Sequence, residues 1–348
     1  MRKRYILLIM PILLSASFNC DLLTGPRGDV QPGRRDYVWK VDTLRLQIGS
    51  LNAIWGSSPS NVWLGGYDDM FHYDGNKFTQ VSVPFIGINT ICGFDSNDVW
   101  AGSGGNGNEI WRFDGHTWSK IFMYNSGSVY TDILSIYGGA PNDVYAVGVI
   151  FLDPNDNLSQ RGFILHYDGR QWKEVYRAGY YSQFYYVRPE GSTAYIAGVQ
   201  YGYLKHDTWL FYEFKGGLLK QIYSDTLDLP IFSDFGNEVY FIISHDVCRY
   251  VSGNFIKVFS INAEQYGYNV WGRSEEDVFV YMNDGIAHWN GTDLRYLFHY
   301  PNGSVQYYGD CAPALFENDV FFTAHDRTTN MELVYHGRLP DEKGSATK

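Results

Sequence analysis

The stretch HYDGRQW (166–172) has near-copies earlier in the chain, RFDGHTW (112–118) and HYDGNKF (72–78). Asp-Gly between apolar runs signals a tight hairpin, because Gly accepts positive φ and Asp caps its own backbone. A large aromatic returns three residues past each of these turn glycines, as Phe78, Trp118 and Trp172, and further on Phe255 follows Gly253 by two. Recurrence at fixed spacing makes this a packing device, a wedge between neighbouring sheets, rather than a site of chemistry.

A second phrase precedes each Asp-Gly: SNVWLGG (60–66), NDVWAGS (97–103) and NDVYAVG (142–148). Its Val position runs down the chain as Val62, Val99, Val144, Ala194, Val239, Val278 and Val320, each followed by Trp, Tyr or Phe. The spacings are 37, 45, 50, 45, 39 and 42 residues, close to the period of roughly 40–50 residues of a four-stranded propeller blade. Upstream of the phrase Gly recurs at one offset in four copies, Gly56, Gly93, Gly138 and Gly272, as suits an innermost strand crowded at the axis. Downstream the turn glycines read Gly75, Gly115, Gly169, Gly216, Gly253, Gly291 and Gly337. In the third copy LSIYG, DVYAVG, FILHYDG and QWKEVY give four strands, with the period-2 alternation of half-buried strands in the second and third.

The expected fold is therefore all-β: a seven-bladed propeller of four-stranded blades. The seventh copy stops at ELVYHGRLPDEKG with no fourth strand, while DYVWKVDTLRL (36–46) near the start matches GHTWSKIFM (115–123), with Trp39 placed like Trp118. An N-terminal strand is thus expected to close the last blade and cover its edge.

These repeats resemble kelch-type repeats, and more closely the W-G-x-x-x-x-D-V-W-A-V-G…H-Y-D-G-x-x-W repeats of exported bacterial propeller proteins. Copies 1, 2, 3 and 6 match well; copies 4, 5 and 7 keep the skeleton. The resemblance implies the fold and an exported, often membrane-tethered setting. It implies no activity, and fold alone does not fix function. The turn also resembles the sialidase Asp-box, but the Ser and the residue between Asp and Gly are missing, so no sialidase chemistry is carried over.

MRKRYILLIMPILLSASFNC (1–20) has a basic start, an apolar run and a terminal Cys. This layout predicts a signal peptide over 1–19 and resembles a lipoprotein acceptor at Cys20, with cleavage near Ser17 and an unmodified Cys20 as the other reading. Asn19 stands where a small residue is usual. Residues 20–35 read as a tether, 36–340 as the propeller and 341–348 as a disordered tail. The expected location is the cell envelope, at the outer membrane or cell surface, or else the periplasm or medium.

Aromatics make up 18% of the chain, with 29 Tyr and 37 Gly, a composition that favours strands and turns. A net charge of −11 argues against nucleic acid and against an electrostatic hold on anionic lipid, leaving the N-terminal lipid as the membrane contact. Cys92, Cys248 and Cys311 have no metal-ligand or disulfide spacing and read as buried core residues. No metal site, cofactor or catalytic set is expected, and a monomer is.

His72, His166 and His288 lie on separate copies at one repeat position, so they cannot converge on one ion. Asp153, Asn155 and Asn157 begin a calcium-loop spacing, but Leu158 stands where Gly is needed. The adjacent pair Asp68–Asp69 reads as a hydrated loop. The remaining signal is Tyr in the loops of one face, where packing explains it least. Tyr124, Tyr180, Tyr181, Tyr201, Tyr203, Tyr266 and Tyr300 are the ligand-binding candidates, with Tyr130, Tyr268 and Tyr307 beside them. Rings among Asn, Gln and Gly suit a glycan or an envelope protein. The sequence thus points to a binding or scaffold module. A carbohydrate-active enzyme on the same face and a structural envelope component are the alternatives.

Overall fold

The computed structural model describes residues 32–104, 108–128, 130–153, 155–156, 159–202, 206–227, 231–236, 238–307 and 311–341. Cys20, the expected signal peptide and most of the expected tether lie outside them, as do Tyr203, Asn157 and the tail past 341.

The described residues form strands and no helix. After β1 (Val38–Leu44), three consecutive meanders follow: β2 (Leu51–Ser58), β3 (Asn61–Gly66), β4 (Met70–Tyr73) and β5 (Phe78–Gln80); β6 (Ile88–Asp95), β7 (Asp98–Ser103), β8 (Glu109–Phe113) and β9 (Trp118–Met123); β10 (Tyr130–Ala140), β11 (Asp143–Phe151), β12 (Gln160–Tyr167) and β13 (Trp172–Arg177). A fourth is β14 (Ser182–Glu190), β15 (Thr193–Gln200), β16 (Thr208–Lys215) and β17 (Leu218–Asp225). Each is a separate four-stranded antiparallel sheet in chain order. Then come β18 (Ile231–Phe235), β19 (Glu238–Ile243), β20 (Asp246–Val251), β21 (Asn254–Ser260), β22 (Tyr266–Ser274), β23 (Asp277–Met282), β24 (Gly285–Trp289) and β25 (Leu294–His299). These make one eight-stranded sheet, two meanders joined by the parallel bridge Phe235–Gly272.

The last sheet contains β26 (Val305–Gln306), β27 (Ala314–Leu315), β28 (Asp319–Asp326) and β29 (Met331–Arg338), with β1 added antiparallel to β29 from Val38–Arg338 to Leu44–Glu332. The N-terminal strand therefore closes the last sheet, as expected. Gly337 differs from its expected role. It is a β29 residue opposite Trp39 rather than a turn glycine, and a Cβ there would fall 2.7 Å from the Trp39 ring. Because β29 hands over to a strand from the other end of the chain, no hairpin is needed.

Hydrophobic core lies between successive sheets. Trp63 and Met70 pack with Ile88, Val99 and Trp111 of the next sheet, and the pattern continues until Leu44, Phe321 and Val334 pack with Val62, Leu64 and Phe71 of the first. The aromatics past the turns are the wedges: Trp118 meets Trp63 at 5.6 Å, Trp172 meets Trp100 at 5.8 Å, and Phe255 meets Tyr223 at 5.8 Å, each across a sheet boundary. Trp39 meets Phe298 in the same way at 4.6 Å.

The repeated phrases resolve into two local devices. At the turns, Gly75, Gly115, Gly169 and Gly291 have φ from +84° to +92°. Asp168 Oδ1 accepts the Arg170 and Gln171 N–H groups, and these bonds hold its carboxyl down at about 2. Along the strands, the acid or amide before the Val position holds a cationic or imidazole side chain across the hairpin in six copies, copy 4 having Thr193 there. His72, His166, His288 and His336 donate through Nε2 to Asn61, Asp143, Asp277 and Asp319 at 2.6–2.7 Å. Each ring lies against the following aromatic, as His166 does on Tyr145 at 4.3 Å. Arg112 takes the same place with Asp98 at 2.7 Å over Trp100. The histidines are sheet-packing residues on separate sheets.

Candidate functional site

The innermost strands, β2, β6, β10, β14, β18 and β22, and the segment 312–315 line one channel of about 380 Å³. Amides and hydroxyls stitch neighbouring strands along its wall. Asn52 Nδ2 donates to Ile88 O at 3.2 Å and Asn89 Nδ2 to Ile133 O at 3.1 Å. Thr90 Oγ1 accepts from Ile136 N at 3.1 Å.

The strand glycines explain the rest of the stitching. A Cβ on Gly93 would fall 2.7 Å from the Trp55 ring, on Gly138 2.5 Å from Phe94, on Gly272 2.7 Å from Phe235 and on Gly56 2.8 Å from Phe316. Each glycine is a notch for an aromatic of the preceding copy around the ring, so the crowding has a specific source. In copies 4, 5 and 7 the equivalent positions, set by pairing to Ala194, Val239 and Val320, are Pro189, Asp234 and Leu315. Between copies 4 and 5 the ring-in-notch contact is replaced by an ion pair, Arg188 Nε to Asp234 Oδ2 at 2.8 Å.

The Arg188 guanidinium also lies 4.3 Å from the Tyr137 ring centroid and donates to Val187 O. Burial works against its charge, but the Asp234 carboxylate, with the Tyr137 and Tyr186 phenols, holds Arg188 above its ordinary value. The same carboxylate, with burial second, pushes the Tyr137 phenol up. Ser233, beside Asp234, is buried with no hydrogen-bond partner for Oγ among the described residues. Cys92 also lines the channel and is buried, which pushes its thiol up; Cys248 is likewise raised by burial, to about 11. Cys92, Cys248 and Cys311 are buried and outside any disulfide. Among the described residues no group of three or more His, Cys, Asp or Glu is placed to hold a metal.

The second feature is the loop face, where connections between successive sheets adjoin the loops joining second to third strands. Backbone bonds tie the two sets, as Tyr124 N to Asn108 O and Tyr201 N to Tyr181 O. Tyr124, Tyr266 and Tyr300 are buried there. Tyr124 donates to Glu174 and accepts from Arg177 at 3.1 Å. Burial and then Glu174 push its phenol up, and burial does the same for Tyr266 and Tyr300. Tyr180 and Tyr181 are half-buried: Tyr180 bonds the Tyr212 hydroxyl at 3.1 Å, and Tyr181 lies under Arg161 at 4.7 Å. Tyr201 donates to Gln183 Oε1 at 3.0 Å. Asp69 corrects the expectation of a hydrated acidic pair. It is 1% exposed, and its carboxylate accepts from Gln47 N at 2.7 Å and Gln80 Nε2 at 2.5 Å, so it pins the loop entering β2.

The exposed apolar groups of this face are others. Ile48, Tyr67 and Ile86 are 57%, 43% and 56% exposed. They are neighbours: Gly87 N donates to Tyr67 O at 2.5 Å, and a Cβ on Gly49 would meet that of Tyr67 at 3.7 Å. Tyr130, Leu152, Leu227 and Tyr268 are exposed on the same face. Tyr268 has φ +66°, a strained backbone for an aromatic residue. Ile48 and Ile86 were missed because a search for Tyr passes over aliphatic loop residues, whose signal is apolarity where no strand period asks for it.

No family model matches the sequence, and no curated protein matches it. Solved structures do match in shape. A YCF48 structure described as bound to D1 peptide superposes with a TM-score of 0.57 at 13% identity, over 88% of this chain and 99% of that one. YCF48 from Cyanidioschyzon merolae gives 0.55 at 14% identity, over 86% and 98%. At such identity the likeness concerns architecture alone: the chain has a β-propeller fold.

Proposed function

We propose that this chain is a seven-bladed propeller, exported and held at a membrane by lipid on Cys20, that binds a segment of a partner protein across its loop face. The observation that carries the binding reading is the group Ile48, Tyr67 and Ile86, all exposed on loops that adjoin one another. Apolar surface concentrated at one place marks an interaction site more often than scattered exposed residues do. A Tyr flanked by two Ile on loops braced by backbone bonds is a preorganised anchor of the kind that dominates protein interfaces. One structure of like fold is described as holding a peptide, and the proposed mode is of that kind. Support for the blade count comes from the seven core clusters between successive copies among the described residues, the last returning to the first. Support for export and lipidation comes from the basic and apolar start and Cys20.

The test is selection of displayed peptides against the immobilised protein. Peptides with apolar side chains should be enriched, and their affinity should fall at least tenfold in the triple variant I48S/Y67S/I86S. Its melting temperature should hold, since exposed substitutions change stability by about 0.5 kcal/mol or less. Selected peptides that bind the triple variant equally well would refute the assignment of this face.

A further inference from the structure

The channel wall between β10 and β18 has a chemistry that packing does not require. The glycine notches show that a ring closes this contact elsewhere, as Phe94 does at Gly138. Here the chain places Arg188 and Asp234 side by side, both still partly accessible at 15% and 26%. Arg188 spends Nε on Asp234 and Nη1 on Val187 O, and no bond from Nη2 is formed among the described residues. Ser233 Oγ is buried on the same wall without a partner. Asn52 and Asn89 line the channel and commit one N–H each to the wall, which leaves their carbonyl oxygens without a protein partner among the described residues. Trp55, Tyr137 and Trp271 supply ring surface to the same space.

We propose that this part of the channel binds a small, neutral, polyhydroxylated ligand, of the size of a mono- or disaccharide. The ion pair decides against charged ligands. A carboxylate or phosphate reaching Arg188 would meet Asp234 beside it at 2.8 Å, and a cation reaching Asp234 would meet Arg188. An apolar ligand would cover the accessible part of Arg188 and leave Nη2 unmatched, which costs more than the burial returns. A hydroxyl both donates and accepts. Of two adjacent hydroxyls, one accepts from Arg188 and the other donates to Asp234, with the pair still in place. The C–H faces of a sugar ring suit the flanking aromatics. The cavity of about 380 Å³ lies at the lower end of small-ligand pockets, which run from about 300 to 1,000 Å³.

The test is titration of the full chain with glucose, galactose, N-acetylglucosamine, maltose and cellobiose, followed by calorimetry and saturation-transfer NMR. Acetate, citrate and choline serve as charged controls. Saturable binding of at least one sugar, and of no control, is expected. Replacing both partners, as in R188M/D234L, keeps a side-chain contact there and should weaken the sugar at least tenfold. D234N keeps the shape of the contact with Arg188 but replaces the charged acceptor by a neutral one, and should weaken the sugar about three- to tenfold, one hydrogen bond's worth. If the double variant does not fold, D234N alone carries the test. Sugars that give no saturable signal, a control that binds in their place, or an affinity unchanged in D234N would each overturn the proposal.

Discussion

Gly93 shows at residue scale how the repeat motif works. Its missing Cβ is the space occupied by the Trp55 ring, and Asp98 O stands 2.8 Å from where that Cβ would be. G93A should therefore destabilise the protein by about 1–3 kcal/mol, the usual cost of overpacking, as read by denaturant titration. The histidine positions give a pH dependence. His288 is fully buried, and burial holds it below its ordinary value of 6.5 despite the Asp277 bond. A depressed histidine leaves the unfolded state with more bound protons as pH drops, so stability is complete above about 6.5 and declines below it. H288Q should flatten the fall in melting temperature between pH 7 and 5, and an unchanged slope would remove His288 from this role. Much of this was legible in sequence, because recurrence marks Gly93 and His288 as structural. The Arg188–Asp234 pair was not. It arises where copies 4 and 5 depart from the repeat, and only strand pairing shows that Asp234 occupies a glycine's place.

At the scale of elements, β1 is the strand on which the closed arrangement depends. It covers β29 over seven residues, and Trp39 sits in the Gly337 notch against Phe298. Deleting residues 36–46 would expose the β29 edge as a template for pairing with other chains, so aggregation is expected in place of a soluble monomeric fold. W39A keeps the strand and removes the wedge. It should cost roughly 3 kcal/mol, the low end for a buried Trp because this one is partly exposed. Soluble, cooperative unfolding of the deletion variant on light scattering and calorimetry would show that closure is dispensable. The match of DYVWKVDTLRL to GHTWSKIFM disclosed this strand, because both obey one wedge-and-strand pattern. The same reading placed a turn at Gly337, since sequence spacing cannot distinguish a turn glycine from a notch glycine.

For the whole molecule, packing accounts for the repeats, and the proposed binding surfaces are the parts that packing leaves over. The Tyr positions show why exposure on the loop face is not readable from sequence. Tyr124 and Tyr300 were as plausible as Tyr67, yet loops folding over the sheet ends bury the first two and leave the third exposed. That outcome depends on which loop crosses which, and no local pattern encodes it. The most direct measurement is site-specific photo-crosslinking of the full chain in its producing cell, with a benzophenone side chain at position 67 on the loop face or at 218, by the turns opposite. A discrete protein adduct from 67, absent from 218 and lost when I48S and I86S are added, is the predicted result. Adducts from 218 alone, or from neither position, would contradict a partner bound across the loop face.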